Sequence, residues 1–255
     1  MTMRTRIIGG FLLASLLLTS AAAQGQNVRK IINLDEGWKF HLGHARDPEK
    51  NFKYGGHGAV DAKLSNDGLL KPYAAILTAG FDDREWRTLR LPHDWAVELP
   101  FVNPGAFELF YAFHGYKPIG LHYPENSVGW YRKRLSLAPE DAHKRLVLQF
   151  DGVYRDCKVF VNGDCVGENK SGYNGFAFDI SNYLHFDKPN IVVVKVDATQ
   201  YEGWWYEGAG IYRHVRLIQT DGVHIPVNGT YVRSDIENGN ATIRLETTID
   251  ILRAV

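Results

Sequence analysis

Apolar and polar residues alternate with a period of two in many short stretches of the chain, the spacing at which side chains of a β-strand point to opposite faces. In one such stretch Leu146, Leu148 and Phe150 share a face, and in another Val192 and Val194 share a face. Helical periodicity is weak beyond the amino-terminal segment. The alternating stretches are RKIINL, WKFHL, RTLRL, GWYRKRLSL, KRLVLQF, CKVFVNG, FAFDI, NIVVVKVDA and IYRHVRLI.

Gly, Asn, Asp and Pro separate these stretches, and such residues favour tight turns. Many short strands joined by turns predict an all-β fold, which is an antiparallel sandwich, a jelly roll or a barrel. Two long stretches without clear alternation interrupt the strands, at residues 43–84 and 99–127. The aromatic residues of the second favour an ordered surface loop, which either lines a binding cleft or covers a sheet edge.

The amino terminus has the pattern of a secretory signal. Arg4 and Arg6 precede an apolar run, and Ala21 and Ala23 suit cleavage before Gln24. The apolar run falls short of the about 18 residues that a membrane-spanning helix needs. We therefore expect a signal peptide at residues 1–23, a secreted or periplasmic protein, and no membrane contact after cleavage.

The rest of the chain divides near Thr220-Asp221-Gly222, which predicts a first domain at 24–220 and a second at 221–255. Apolar and polar residues alternate again from Thr242 to Ile251. Only about three strands fit into this second segment, whereas an immunoglobulin-type sandwich needs about seven. We expect it to be the beginning of such a sandwich, cut short.

Composition changes the picture mainly by exclusion. Lys plus Arg equals Asp plus Glu at 29 residues each, so no overall charge favours nucleic acid or an acidic membrane surface. Aromatic residues make up 13% of the chain. They serve either a sandwich core or stacking against sugar rings, and the composition leaves both interpretations open.

The two cysteines flank a predicted hairpin. Asn162-Gly163 between apolar runs predicts a two-residue turn that pairs Val161 with Asp164 and Phe160 with Cys165. Cys157 then lies opposite Glu168 and on the other face from Cys165, so we expect no disulfide between them. Their spacing, without organised histidines nearby, is also weak support for a metal site.

Candidate ligand-binding residues come from two loops. In KSGYNGFAFDI, Gly172 and Gly175 flank Tyr173 and Asn174, a turn that presents a phenol and an amide either to sugar hydroxyls or, for the amide, to its own backbone. Asp197 ends an apolar strand, where its carboxylate either accepts paired hydroxyl hydrogen bonds or closes a turn. The aromatic residues that follow offer flat apolar faces to a pyranose, and they are Trp204, Trp205 and Tyr206.

Three other segments are predicted to be structural. In LPHDW, Pro92 ends strand pairing, His93 and Asp94 bond local backbone, and Trp95 plugs the end of the sandwich. In GWYRK, Gly129 admits a close neighbour while the residues after it alternate between two faces. In GAGIYRHV, small residues let the chain turn and Arg213 fastens the turn to carbonyls or an acid.

Four motifs together resemble one family. LPHDWAVE at 91–98, SVGWYRKRL at 127–135, FDGVYRDCKVFVNGDCVGENKSGYNGFAFDIS at 150–181 and VDATQYEGWWYEGAGIYRHVRL at 196–217 are similar to the amino-terminal sugar-binding domain of glycoside hydrolase family 2. The resemblance runs from about Leu34 to about Ile251 and is greatest to the β-galactosidase branch. It implies a jelly-roll, galactose-binding-like sandwich followed by an immunoglobulin-like one, with a β-galactoside-like carbohydrate as partner.

The resemblance also implies roles for single residues. β-Galactosidases of this family use an aspartate at this strand end to contact the sugar and, in some members, an alkali cation, and we carry that role onto Asp197. Otherwise no cofactor is implied. The family's two catalytic glutamates lie on a (β/α)8 barrel after the immunoglobulin-like domain, and no Asn-Glu dipeptide of the kind that marks the acid/base occurs here. We expect no catalytic residue and no turnover from this chain alone.

Three functional interpretations follow. The first is the sugar-binding portion of a β-galactosidase-like hydrolase, as a fragment or a shortened product. The second is a free-standing carbohydrate-binding module, and the third is a nonfunctional remnant. The motifs do not decide among galactose, glucuronic acid and mannose, nor do they fix the oligomeric state.

Overall fold

Two antiparallel sheets stacked on a shared core make up most of the structure. The computed structural model describes residues 29–54, 61–64, 70–103, 117–200 and 207–251, with only the backbone described at 61–64 and 70–73. The predicted signal peptide and the aromatic residues Trp204, Trp205 and Tyr206 lie outside the described residues. In the described part of the chain, no helix is long and apolar enough to cross a membrane.

Sixteen strands are described, together with short 3-10 turns at Ala75–Leu77, Trp95–Glu98, Pro139–His143 and Ser181–Tyr183. The strands are β1 (Arg29–Asn33), β2 (Trp38–Leu42), β3 (Asp61–Leu64), β4 (Leu70–Tyr73), β5 (Arg87–Leu89), β6 (Val128–Leu135), β7 (Arg145–Phe150), β8 (Cys157–Val161), β9 (Asp164–Asn169), β10 (Phe176–Asp179), β11 (Asn190–Asp197), β12 (Val215–Thr220), β13 (Val223–His224), β14 (Thr230–Glu237), β15 (Asn240–Thr247) and β16 (Asp250–Ile251).

One sheet has four strands in the order β1-β12-β7-β10, and the other has six in the order β5-β2-β6-β11-β8-β9. Three two-stranded sheets, β3-β4, β13-β16 and β14-β15, complete the described topology. All nine stretches of period-two alternation overlap one of these strands, and the all-β sandwich predicted from them is confirmed. The last stretch is shorter than predicted, because β12 begins only at Val215 and leaves Ile211–His214 outside the strand.

The core between the sheets follows from the alternation. Leu146, Leu148 and Phe150 of β7 are fully buried on one face, as predicted, and meet Val192 and Val194 of β11 in the same apolar cluster. At about 25 cal/mol for each Å² of apolar surface removed from water, side chains of this size make such a cluster the main stabilising contribution.

The six-stranded sheet is also covered on its outer face. A second cluster joins Ile191 and Val193 of β11, Trp130 of β6 and Phe160 of β8 to residues from the first insertion. The insertion residues in or against this cluster are Ala45, Phe52, Tyr54, Ala74, Ile76, Leu77 and Phe81, and Trp86 just after the insertion joins them. The insertion at 43–84 therefore supplies a third layer in its described parts, which explains why β11 has four consecutive apolar residues, Ile191 to Val194, instead of strict alternation.

Arg132 attaches this third layer. Its side chain is only 1% exposed, and its Nε donates to Asp83 Oδ2 at 3.0 Å. Its guanidinium also donates to the carbonyls of Ile76 and Thr78. One buried cation thus satisfies three acceptors of the insertion, and the alternation of Trp130 and Arg132 on the face opposite Tyr131 is confirmed.

The hairpin that contains the cysteines is confirmed at its turn and wrong further along. Val161 pairs with Asp164 and Phe160 with Cys165, but Cys157 pairs with Asn169 instead of Glu168. The reason is a β-bulge between Val159 and Phe160, which adds one residue to β9. Both cysteines are free, with Cys157 buried in the core and Cys165 exposed on the other face.

Residues 221–251 form β13 to β16, whose apolar side chains are largely exposed. The predicted continuous run from Thr242 to Ile251 is wrong in one respect. β15 ends at Thr247, the amide of Thr248 donates to Gly229 O at 2.7 Å, and Ile251 then pairs with Val223 in another sheet. The predicted domain boundaries remain predictions.

Substituting Arg132 tests the attachment of the third layer. R132A leaves the Asp83 carboxylate and two carbonyls without their donor, and breaking a buried pair of this kind costs about 3–5 kcal/mol. We expect a lower midpoint of urea unfolding with a loss of that size. The matched control is R84A, since Arg84 is 84% exposed and its ion-pair partner among the described residues is Asp82, which is exposed as well. Equal midpoints for the two variants would contradict the role of Arg132.

Candidate functional site

One end of the sandwich gathers the loops that carry the candidate residues. The loop after β7 (151–156), the loop after β9 (170–175) and the described parts of the loop after β11 (198–200 and 207–214) all lie at this end. The segment before β6 joins them, because Asp197 pairs with Val128 and the amide of Ala198 donates to Ser127 O at 2.8 Å. We call these four segments the loop end.

A short backbone ladder closes the loop end. The amides and carbonyls of Tyr154 and Gly210 bond each other reciprocally, at 2.9 and 2.7 Å. Gly210 has φ of +130°, and a Cβ there would lie 2.5 Å from His93 O and from Tyr131 Oη. Both the backbone angle and the lack of space require glycine, which accounts for the small residues before IYRHV.

The LPHDW segment is bound to the residues on either side of Gly210, whereas only bonds to local backbone were predicted. The predicted local bond is found for Asp94, which accepts from Ala96, but the His93 side chain contacts Tyr131 instead. The amide of His93 donates to Ile211 O at 2.8 Å, and that of Trp95 donates to Ala209 O at 2.9 Å. Asp94 Oδ1 accepts from the amides of Ala96, at 2.9 Å, and Ala209, at 2.8 Å. A single carboxylate therefore caps the 3-10 turn at Trp95–Glu98 and fixes the glycine-rich loop beside it.

Buried aromatic rings lie beneath the ladder. Trp95 is 2% exposed and packs against Gly129, where a Cβ would lie 2.5 Å from its ring, so the predicted plug and close approach are confirmed. His93 Nδ1 lies 2.7 Å from Tyr131 Oη, and its Nε2 lies 3.2 Å from Glu98. Burial lowers the pKa of His93, against the opposing effect of Glu98. The buried side chains of Trp95, His93 and Tyr131 thus form the base on which the loop end packs.

Asp197 lies at the end of β11 with its carboxylate engaged. Oδ2 lies 2.9 Å from Lys195 Nζ, and Oδ1 accepts hydrogen bonds from the amide and hydroxyl of Thr199. Burial disfavours the charged form, but the Lys195 ammonium and the Thr199 donors outweigh it, so the pKa of Asp197 is below its ordinary value. The side chain is 30% exposed, so an ionised carboxylate closes the turn and still meets solvent.

The described residues around Asp197 fit an alkali cation poorly. The nearest charge to its carboxylate is the Lys195 ammonium, which repels a second cation. In the described part of the chain, no group of three His, Cys, Asp or Glu side chains is placed to hold a metal ion. We therefore assign no step to a cation here.

Tyr173 and Asn174 lie on the exposed loop after β9. Tyr173 is 50% exposed, and its ring meets the ring of buried Tyr154 edge-on at 5.7 Å between centroids. Gly172 packs directly on Tyr154, and its carbonyl accepts from Tyr212 Oη at 2.8 Å. Tyr173 and Asn174 are therefore held outward at the same end as Asp197.

The link between the two candidate groups runs through residues 154 and 155. The ring of Tyr154 contacts Tyr173, and the carbonyl of Arg155 accepts from the amide of Asp197 at 3.1 Å. The structure thus brings Asp197, Tyr173 and Asn174 to one end of the sandwich.

Several contacts at or beside the loop end were not predicted from the sequence. Asp35 is 1% exposed and accepts from Val215 N at 3.0 Å, with His214 Nδ1 2.7 Å away. His214 follows Asp35 by 179 positions, and no short motif connects them. Arg213 was expected to bind carbonyls or an acid; instead its guanidinium is exposed and lies over the Tyr212 ring at 5.6 Å. The physical reason is that the chain turns before β12, so Arg213 points out of the loop rather than along a strand face.

Substitution of Asp94 tests how the loop end is held. D94A leaves the amides of Ala96 and Ala209 without their shared acceptor, which we expect to cost about 1–3 kcal/mol of unfolding free energy. D94N keeps a side-chain oxygen at that position and should recover most of the loss in the same denaturation measurement. A D94N variant as unstable as D94A would show that the carboxylate's charge, rather than its accepting oxygen, holds the loop.

Comparison with known proteins gives this arrangement a family. Residues 80–221 match the family model described as the sugar-binding domain of glycosyl hydrolases family 2. A β-galactosidase of Bacteroides ovatus is 36% identical over 91% of this chain and 23% of its own length. A putative β-glucuronidase of Formosa agariphila is 31% identical over 71% of this chain and 17% of its own length.

A solved structure agrees with these relatives. The crystal structure of a β-glycosidase from Bacteroides vulgatus superposes with a TM-score of 0.64 at 31% identity, covering 88% of this chain and 24% of that one. The chain therefore spans about a quarter or less of the length of these relatives. With a family model matched over more than half of its residues, the chain belongs to glycoside hydrolase family 2, and it carries that family's sugar-binding domain.

Proposed function

We propose that the loop end binds the sugar of a β-galactoside for a hydrolase of which this domain is a part. The observation that carries the proposal is the placement of Asp197, Tyr173 and Asn174 at one end of the sandwich, around residues 154 and 155. Hydrolysis itself is assigned to a pair of carboxyl groups outside the residues discussed here, since a retaining glycosidase needs two of them about 5–5.5 Å apart.

In this proposal Asp197 is the main polar contact. Its pKa is below the ordinary value, so the carboxylate is ionised at neutral pH and accepts sugar hydroxyls. Lys195 and Thr199 hold the carboxylate in one orientation, so its side chain loses less conformational entropy when a ligand binds. A charged acceptor fixed at a solvent-facing strand end suits a polyhydroxylated ligand.

The aromatic contact is assigned to Tyr173. Its ring is 50% exposed and meets buried Tyr154 edge-on, and a solvent-exposed aromatic surface of this kind suits the apolar side of a pyranose. Asn174 beside it supplies an amide that donates and accepts. Trp204, Trp205 and Tyr206 follow Asp197 in the sequence and are proposed to extend the same aromatic surface. Galactose is favoured over glucuronic acid and mannose by the resemblance of the motifs and by the Bacteroides ovatus relative.

Export is part of the proposal. The amino-terminal pattern supports a secreted or periplasmic enzyme, where extracellular β-galactosides are the available substrates. Analysis of the mature amino terminus after expression tests this, with cleavage before Gln24 expected.

A binding assay tests the role of Asp197. In calorimetric titration of the full chain with a β-galactoside, D197N should weaken binding about tenfold or more, as expected when a hydrogen bond to a charged group is lost. The matched control is K195M, which breaks the same ion pair but keeps the carboxylate. We expect K195M to bind within about threefold of the unsubstituted chain, a small change on the scale where tenfold is 1.4 kcal/mol. Equal loss in both variants would indicate that the ion pair is only structural.

A second pair of variants tests the aromatic contact. Y173A removes the exposed ring and should reduce affinity several-fold. The control is Y231A, which removes a tyrosine of β14 that is 63% exposed and should leave affinity unchanged. Thermal unfolding of each variant checks that the fold is retained. If Y173A binds as the unsubstituted chain does, the loop after β9 is not part of the sugar site.

A further inference from the structure

We propose that the loop end has a second subsite, beside the Asp197 site, which binds a pyranose that carries a carboxylate. The subsite is a pocket of about 490 Å³ lined by Pro92, Asp151, Gly175, Tyr212, Arg213 and His214. We call it the Arg213 pocket. The proposal deepens the proposed function, since it rests on sugar binding at the loop end, and it specifies an acidic sugar unit next to the neutral one.

The Arg213 pocket adjoins the Asp197 site, because Gly175 in its lining directly follows Asn174. It lies where the four-stranded sheet ends, with Asp151 directly after β7 and His214 directly before β12. The amide of Asp151 donates to His214 O at 3.0 Å, which joins the two walls. Asp197 ends a strand of the other sheet, and the ladder of Tyr154 and Gly210 is part of the loop end between the sheets. A ligand long enough to contact both would be an oligosaccharide or a glycoside with two sugar units.

The charged side chains of the pocket determine which ligand charge it favours. Asp151 is neutralised by Arg216, whose guanidinium donates to its Oδ2. Buried Asp35 has His214 Nδ1 at 2.7 Å. Arg213 is exposed and, among the residues that the structure describes, has a contact with the Tyr212 ring but no ion pair. The uncompensated group is therefore a guanidinium, whose paired N–H donors match a carboxylate.

The walls of the pocket are held in place before any ligand arrives. A Cβ on Gly152 would lie 2.8 Å from Tyr212 Cζ and 3.0 Å from Arg213 Cδ, so both side chains pack directly on the backbone of the loop after β7. Tyr212 Oη is fixed by its 2.8 Å hydrogen bond to Gly172 O. Side chains that are already ordered lose little entropy on binding, which favours a binding role over a solvated surface.

The remaining lining favours a sugar acid over a simple anion. Asp151 Oδ1 accepts no hydrogen bond from the described residues, so it is placed to accept a hydroxyl, a donor that a sugar acid has several times over. Pro92 and the Tyr212 ring add apolar surface of the kind that meets the C–H face of a pyranose. A uronate combines one negative charge with several hydroxyl donors and fits both features.

Titration of the full chain with glucuronate, glucose and inorganic phosphate, followed by NMR, tests the proposal. We expect glucuronate to bind about tenfold or more tightly than glucose, and phosphate to bind no better than glucose. R213Q should reduce glucuronate binding to the level of glucose, while R213K should keep part of the preference. The control is R233Q, since Arg233 is a half-exposed arginine of β14, 51% exposed, and it should change nothing.

The outcomes separate this proposal from the previous one. Equal binding of glucuronate and glucose, unchanged binding in R213Q, or phosphate binding with the same dependence on Arg213 would each overturn the Arg213 pocket as a sugar-acid site. D197N should weaken the β-galactoside and leave glucuronate unaffected. If D197N changes neither ligand while R213Q abolishes glucuronate binding, the assignment of Asp197 fails and the Arg213 pocket stands. Loss of glucuronate binding in D197N would place both ligands in one site and overturn the second subsite.

Discussion

The burial of β11 on both faces is the constraint on which the rest of the structure depends. Val192 and Val194 pack into the core between the sheets, and Ile191 and Val193 pack under the inserted third layer. A strand held from both sides cannot slip by one residue, because every side chain would change faces. The position of Asp197 at its end is therefore fixed by apolar packing rather than by the loop that follows.

The same packing gives the loop end a defined frame. The sheets supply strand ends at defined positions, and the ladder of Tyr154 and Gly210 joins them across the loop end. Asp94 then ties a distant segment to the same ladder through two amides. Polar side chains of the loops are thus supported by backbone hydrogen bonds and buried rings, an arrangement that gives binding groups fixed positions.

Period-two alternation was sufficient to predict the sandwich, because a strand with one buried face must show it, as β7 does. It was insufficient where the physical cause lies far away in the chain. The third layer on β11 depends on contacts between Arg132 and a segment some 50 positions earlier, 49 for Asp83 and 56 for Ile76. The bulge in β9 and the late start of β12, at Val215 instead of Ile211, depend on backbone pairing that residue types alone do not specify. For the candidate site, glycines and a strand-end aspartate were visible in the motifs, whereas the pairing of Asp35 with His214 was not.

The opposite orientations of the two cysteines have a practical consequence. Burial raises the pKa of the Cys157 thiol to about 12, so it forms almost no thiolate at neutral pH, whereas Cys165 is exposed on β9 next to the hairpin turn. Thiolate is the form that reacts with maleimides. A fluorophore or spin label should therefore attach at a single position, at the end of the sandwich away from the loop end. The native chain can thus be labelled without an engineered cysteine and without disturbing the loop end.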